Sequence, residues 1–118
     1  MDQRIQMAIA IMESNLNRQI SLAKLARTAG LSASRFRHKF KAEVGVTPTI
    51  YLQTIRLQMA RTLLASNSLS VKEVRAAIGI KSDSYFTHQF KKAYGQTPSG
   101  LRSVSNSEAG PTNNDLSK

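Results

Sequence analysis

Gly30 to Pro48 reads GLSASRFRHKFKAEVGVTP, and most of this stretch is written again fifty residues later. Phe36, His38, Phe40, Lys41, Gly45, Thr47 and Pro48 recur as Phe86, His88, Phe90, Lys91, Gly95, Thr97 and Pro98. Upstream the repeat continues at an offset one residue shorter. There Ser21, Leu22, Leu25, Gly30 and Leu31 match Ser70, Val71, Val74, Gly79 and Ile80, so the second copy carries one extra residue in its turn. A unit written twice points to an action performed twice.

Within the first copy, Ser32 can cap a helix in which Phe36, Phe40 and Val44 repeat every four residues as one buried stripe. Gly45 ends it. Thr47-Pro48 then opens a long helix over 48–65, because proline at the first helical position gives up an amide that had no partner. This helix carries Leu52, Ile55, Met59 and Leu63 on its expected inner face, bears Arg56 and Arg61, and connects the two copies.

Working outward, Ile5, Ile9, Met12 and Leu16 step by four, three and four, which predicts a first helix over about 3–17. Ser21 caps a short second helix with Leu22, Leu25 and Ala26 inward, and Gly30 breaks it. After the polar Ser66-Asn67-Ser68, Ser70 and Glu73 form a capping box before Val71, Val74 and Ile78. Gly79 breaks the chain again. Ser82 or Asp83 caps a sixth helix with Phe86, Phe90 and Tyr94 inward, and Thr97-Pro98 opens a seventh toward Arg102. Nothing reads as a strand. The expected fold is all-α: seven helices in two helix-turn-helix subdomains, 1–47 and 66–104, joined by the helix 48–65. The remaining 105–118 is polar, offers little to bury, and is expected to be disordered.

The 118 residues hold 17 Lys plus Arg against 7 Asp plus Glu, a net charge of +10. Met1 to Arg102 alone holds 16 basic and 5 acidic residues, so the charge belongs to the part expected to fold. A polyanionic partner follows. There is no cysteine, which excludes disulfides, thiol nucleophiles and thiolate metal sites. No apolar run approaches the ~18 residues of a membrane span, and the N-terminus lacks the pattern of a secretory signal. The expectation is a cytoplasmic protein without a membrane partner.

A short helix, a glycine turn and a second helix make the unit whose second helix can enter the DNA major groove. On the side opposite Phe36 and Phe40, the helical projection places Ser34, Arg37, His38 and Lys41. The same construction places Ser84, Thr87, His88 and Lys91 opposite Phe86 and Phe90. All can donate a hydrogen bond and none is acidic, as phosphates and base edges require. The four phenylalanines are core residues by their spacing. His38 and His88 lie in separate copies with no further ligand at metal spacing, so neither a metal site nor a cofactor is expected.

The Gly-hydrophobic-x-Ser turn, the Phe-x-x-x-Phe-Lys of the reading helix and the Gly-x-Thr-Pro that follows it resemble the DNA-binding domain of the AraC/XylS family of bacterial transcription regulators. The resemblance spans about Met1 to Arg102, most specifically Gly79 to Arg102 and Val44 to Leu52. It implies that helices three and six face successive major grooves of promoter DNA, and that transcription is commonly activated through contact with RNA polymerase. Base contacts would then fall to Ser34, Arg37 and His38 and to Ser84, Tyr85 and His88. Phosphate contacts would fall to Lys41, Arg56, Lys91 and Lys92 and to the helix starts at Ser32 and Ser82, with Arg35 adding to the more basic first copy, which is expected to dominate binding. Two residues depart from the family pattern: Arg75 where a small residue is usual, and Leu101 where tyrosine is usual. Family members often carry a separate sensing or dimerisation domain, and nothing resembling one is present here. The rival reading is a basic helical protein-interaction module that binds DNA only non-specifically. An enzyme is not expected, since no carboxylate pair, no nucleophile with its base and no Gly-rich phosphate loop can be assembled.

Overall fold

Each helix begins where a side-chain oxygen takes up an amide that the helix itself leaves unpaired. In the computed structural model, which describes residues 1–66 and 68–102, Asp2 caps α1 (Gln3–Ser14), Ser21 caps α2 (Leu22–Thr28) and Ser32 caps α3 (Ala33–Val44). Thr47 accepts from the Ile50 amide at the start of α4 (Pro48–Ser66). Ser70 caps α5 (Val71–Ala77) in a full capping box with Glu73, and Ser82 caps α6 (Asp83–Tyr94). Thr97 accepts from the Gly100 amide in α7, 98–102. The described residues contain no strand. The tail expected to be disordered, 105–118, lies outside them.

The chain divides into two compact units, Met1–Arg56 and Leu57 onward. In the first, α2 and α3 meet through a turn in which Gly30 takes φ 74° and the Leu31 amide donates to the Ala26 carbonyl at 2.9 Å. The second repeats this with Gly79 at φ 76° and the Ile80 amide on the Arg75 carbonyl at 3.3 Å. The left-handed backbone at these two positions is open to glycine at no steric cost.

The first core buries Ile5, Ala8, Met12, Leu16, Leu25, Ala26, Phe36, Phe40 and Leu52. The second buries Leu57, Ala60, Leu64, Val74, Ile78, Phe86 and Phe90. α4 therefore serves both cores, and the single stripe expected along it does not exist. Leu52 belongs to the first core, with Tyr51 and Ile55 partly buried beside it, whereas Leu57, Ala60 and Leu64 form the stripe of the second half. Met59 is 42% exposed, and Leu63 is only partly buried. The second stripe repeats the apolar-Ala-apolar spacing of Ile5, Ala8 and Met12 in α1.

One other expectation is corrected. α1 stops at Ser14 rather than near 17, because Asn15 turns its side-chain amide back onto the Ile11 carbonyl at 2.8 Å and ends the helical ladder. Arg75, which departs from the family pattern, sits within a regular α5. Its guanidinium lies along the α5–α6 turn and donates to the carbonyls of Ile80 at 3.1 Å and Lys81 at 2.6 Å, with Asp83 at 3.8 Å. Lys81 is the extra residue of the second copy, so the carbonyl it adds to the turn is one that Arg75 binds. Leu101 packs against the second core with its side chain partly buried.

Each unit is also tied from its last helix back to its opening turn. Arg56 donates to the Arg18 carbonyl at 2.8 Å, and Arg102 donates to the carbonyls of Leu64, at 3.0 Å, and Leu69.

Candidate nucleic-acid interface

α3 and α6 are built alike. Both have twelve residues, both start at a serine that accepts from the third helical amide, and both end at a glycine in the left-handed conformation. In each, two phenylalanines one turn apart are buried, with ring centroids 5.8 Å apart. Burial of those rings fixes how each helix is rolled on its core, and thereby which side chains face water.

In α3, Ser34, Arg35, Arg37, His38 and Lys41 are exposed, with Ser32 at the exposed helix start. In α6, Ser84, Tyr85, His88, Lys91 and Lys92 are exposed, Thr87 is half-buried, and Ser82 stands at the start. Ser34, Arg35 and His38 also line an open groove of about 600 Å³ with Gly30, Leu31 and Arg4. Arg56 differs from the rest of the phosphate-contact set, since its guanidinium is half-buried and engaged on the Arg18 carbonyl.

Four acidic residues, Asp2, Glu43, Glu73 and Asp83, are engaged locally. Asp2 pairs with Arg4 at 3.1 Å and Lys39 at 3.3 Å, and Glu43 pairs with Lys39 at 3.6 Å while accepting from the Asp2 amide. Hydrogen bonds from Arg4 hold the Asp2 carboxyl well below the usual carboxylate range, with Lys39 adding to the effect. Asp83 faces Arg75, and Glu73 is held low by the amide and hydroxyl of Ser70. Among the described residues, none of Arg35, Arg37, Lys41, Lys91 and Lys92 has an acidic partner. Lys39 and Arg4, by contrast, are neutralised by their neighbours, which the one-dimensional charge count cannot show. What is left on the outward sides of α3 and α6 is uncompensated positive charge and hydrogen-bond donors.

Among the described residues, no cluster of His, Asp or Glu could hold a metal ion. No described helix is long and apolar enough to cross a membrane. The positioning role of Arg75 was missed by sequence reasoning, and its signal was the coincidence of an oversized residue with a one-residue insertion.

Residues 25–103 match a family model described as a helix-turn-helix domain. The chain is 35% identical over 107 residues to the xylose operon regulatory protein of Escherichia coli, covering 91% of this chain and 27% of that protein. It spans 7 to 35% of the length of other curated relatives. Among solved structures it is similar to a Chromobacterium violaceum regulator with an AraC-type DNA-binding domain, at 27% identity and a TM-score of 0.80, covering 93% of this chain and 96% of that one. It is likewise similar to the DNA-binding domain of the global transcriptional factor AdpA, solved in complex with a target DNA, at 25% identity and a TM-score of 0.85, covering 92% and 98%. The xylose operon protein and the two solved neighbours are regulators, while another relative, of which this chain spans 7%, is a histidine kinase of Formosa agariphila. Two capped helices presenting unpaired cations, on this fold and with these relatives, place the chain in the AraC/XylS family of transcription regulators, as a DNA-binding domain.

Proposed function

We propose that the chain recognises a specific duplex sequence at bacterial promoters by inserting α3 and α6 into the major groove, and that it activates transcription by contacting RNA polymerase while bound. The observation that carries this reading is the matched outward surface of the two helices: donors at Ser34, Arg37 and His38, and at Ser84, Tyr85, Thr87 and His88, with no acid among them. Base edges are read by such donors, while Ser32, Arg35, Lys41, Ser82, Lys91 and Lys92 hold the phosphates on either side. Arg56 adds its charge at the phosphates while donating to the Arg18 carbonyl. The work is done at the bacterial nucleoid, and a separate sensing or dimerisation domain in the full regulator would supply the signal.

The test separates base reading from charge attraction. Arg37→Ala should cost about 1–3 kcal/mol on the preferred duplex and blur one or two of its positions. Lys92→Ala should weaken all duplexes alike and reduce the salt slope by about one unit. Binding measured by fluorescence anisotropy over a salt series gives both numbers. Equal affinity of the unaltered chain for all duplexes would instead favour the protein-interaction module.

A further inference from the structure

Building on the DNA-binding reading above, we infer that the two reading helices take chemically different half-sites: one containing guanine, read by Arg37, and one containing thymine, read by Thr87 and Tyr85. The shared frame of α3 and α6 makes this comparison possible. With the same length, the same capping and the same buried phenylalanine pair, residues fifty apart occupy equivalent places on their helices. Ser34 and Ser84, His38 and His88, and Lys41 and Lys91 are identical, so these pairs give the two readers no chemical difference. Ala33 against Asp83 and Ala42 against Lys92 also differ on exposed positions, but neither alanine has a polar side chain to read a base, so the difference in reading chemistry lies at Arg37 against Thr87, with Arg35 against Tyr85 beside it.

Arg37 is exposed, and among the described residues its side chain makes no hydrogen bond or ion pair, so its whole donor fork is available. A guanidinium donates and never accepts. In the major groove guanine alone offers two adjacent acceptors, N7 and O6, whereas adenine offers an acceptor beside a donor. Arg37 therefore selects guanine. Lys39 does not compete, because Asp2 and Glu43 hold its ammonium.

Thr87 cannot make that contact. It is short and half-buried, it carries one hydroxyl, and what it adds beyond the hydroxyl is a methyl group. Tyr85 is 41% exposed, a large aromatic residue on an otherwise polar surface. An apolar group facing the major groove finds its complement in the 5-methyl of thymine, the one apolar feature on a base edge there.

The test is enrichment of a randomised duplex library at near-physiological salt by the unaltered chain, Arg37→Thr and Thr87→Arg, with folding of each checked by circular dichroism and melting. The unaltered chain should select one block with a required guanine and another with a required thymine. Arg37→Thr should bind the original site roughly tenfold or more weakly and lose the guanine while keeping the thymine block. Thr87→Arg should bring guanine into the second block. Deoxyuridine in place of the second block's thymine removes only the methyl and should weaken binding severalfold. A guanine requirement that survives Arg37→Thr, or a second block indifferent to both Thr87→Arg and deoxyuridine, overturns the half-site assignment alone. If the unaltered chain enriches no motif, sequence-specific reading itself fails, and this assignment with it.

Discussion

Single residues in this chain act through backbone geometry as much as through contact. At Gly30 a Cβ would meet nothing within 4 Å, so the cost of Gly30→Ala comes from the left-handed backbone alone. That cost is about 1–2 kcal/mol, and Gly30→Asn should lose less, because asparagine tolerates this conformation. Urea unfolding of the two variants checks the order, and equal losses would mean that the turn relaxes to another backbone shape. Arg75 works in the opposite way, by side-chain reach. Its two bonds to the Ile80 and Lys81 carbonyls hold the turn that delivers α6. Arg75→Ala should lower stability by about 1–3 kcal/mol, and Arg75→Lys should recover only part of the loss, since a single ammonium lacks the planar fork. A fully stable Arg75→Ala variant would show that the second copy holds its wider turn without help.

Among the elements, α5 carries a titratable start. The Glu73 carboxyl is held below its ordinary range by the Ser70 amide and hydroxyl. A group whose pKa is lower in the folded state gives its full stabilisation above the unfolded value, about 4.3 for glutamate, and loses it as pH falls through the folded one. Unfolding midpoints measured from pH 7 to pH 3 should fall less steeply for Glu73→Gln than for the unaltered chain. Part of the slope should remain, because Asp2 is shifted in the same sense in the other unit. If the slope is unchanged, the capping box is not populated in solution. The elements also show how much could be read in advance. Caps and phenylalanine spacing are local signals, so the helix starts and the roll of α3 and α6 were legible from neighbouring residues. The inner face of α4 was not, because Leu52 and Leu57 answer to different cores and the sequence interleaves two stripes. Its second stripe was visible only as a repeat of Ile5, Ala8 and Met12. The reach of Arg56 to a carbonyl 38 residues away, or of Arg75 across a turn, depends on where folding brings the backbone, and no spacing rule announces it. The outward donors of α3 and α6 were legible; the neutralisation of Lys39 and Arg4 was not.

At the scale of the whole molecule, two small cores share one helix. A unit of this size buries little on its own, so each depends heavily on its phenylalanine pair. Phe86→Ala should cost about 3–5 kcal/mol. Hydrogen exchange should then show protection lost from Leu57 onward and largely kept in Met1–Arg56. An even loss across both would show one cooperative body in place of two units. The arginine ties have a consequence for ancestry. Each tie closes a length of chain on itself, from its last helix to its own first turn. Tandem copying of a gene segment would join two such lengths end to end. α4 is what that junction would look like: its first half begins at Pro48 as α7 begins at Pro98, and its second half repeats the apolar spacing of α1, so the closing helix of one copy and the opening helix of the next have become a single rod.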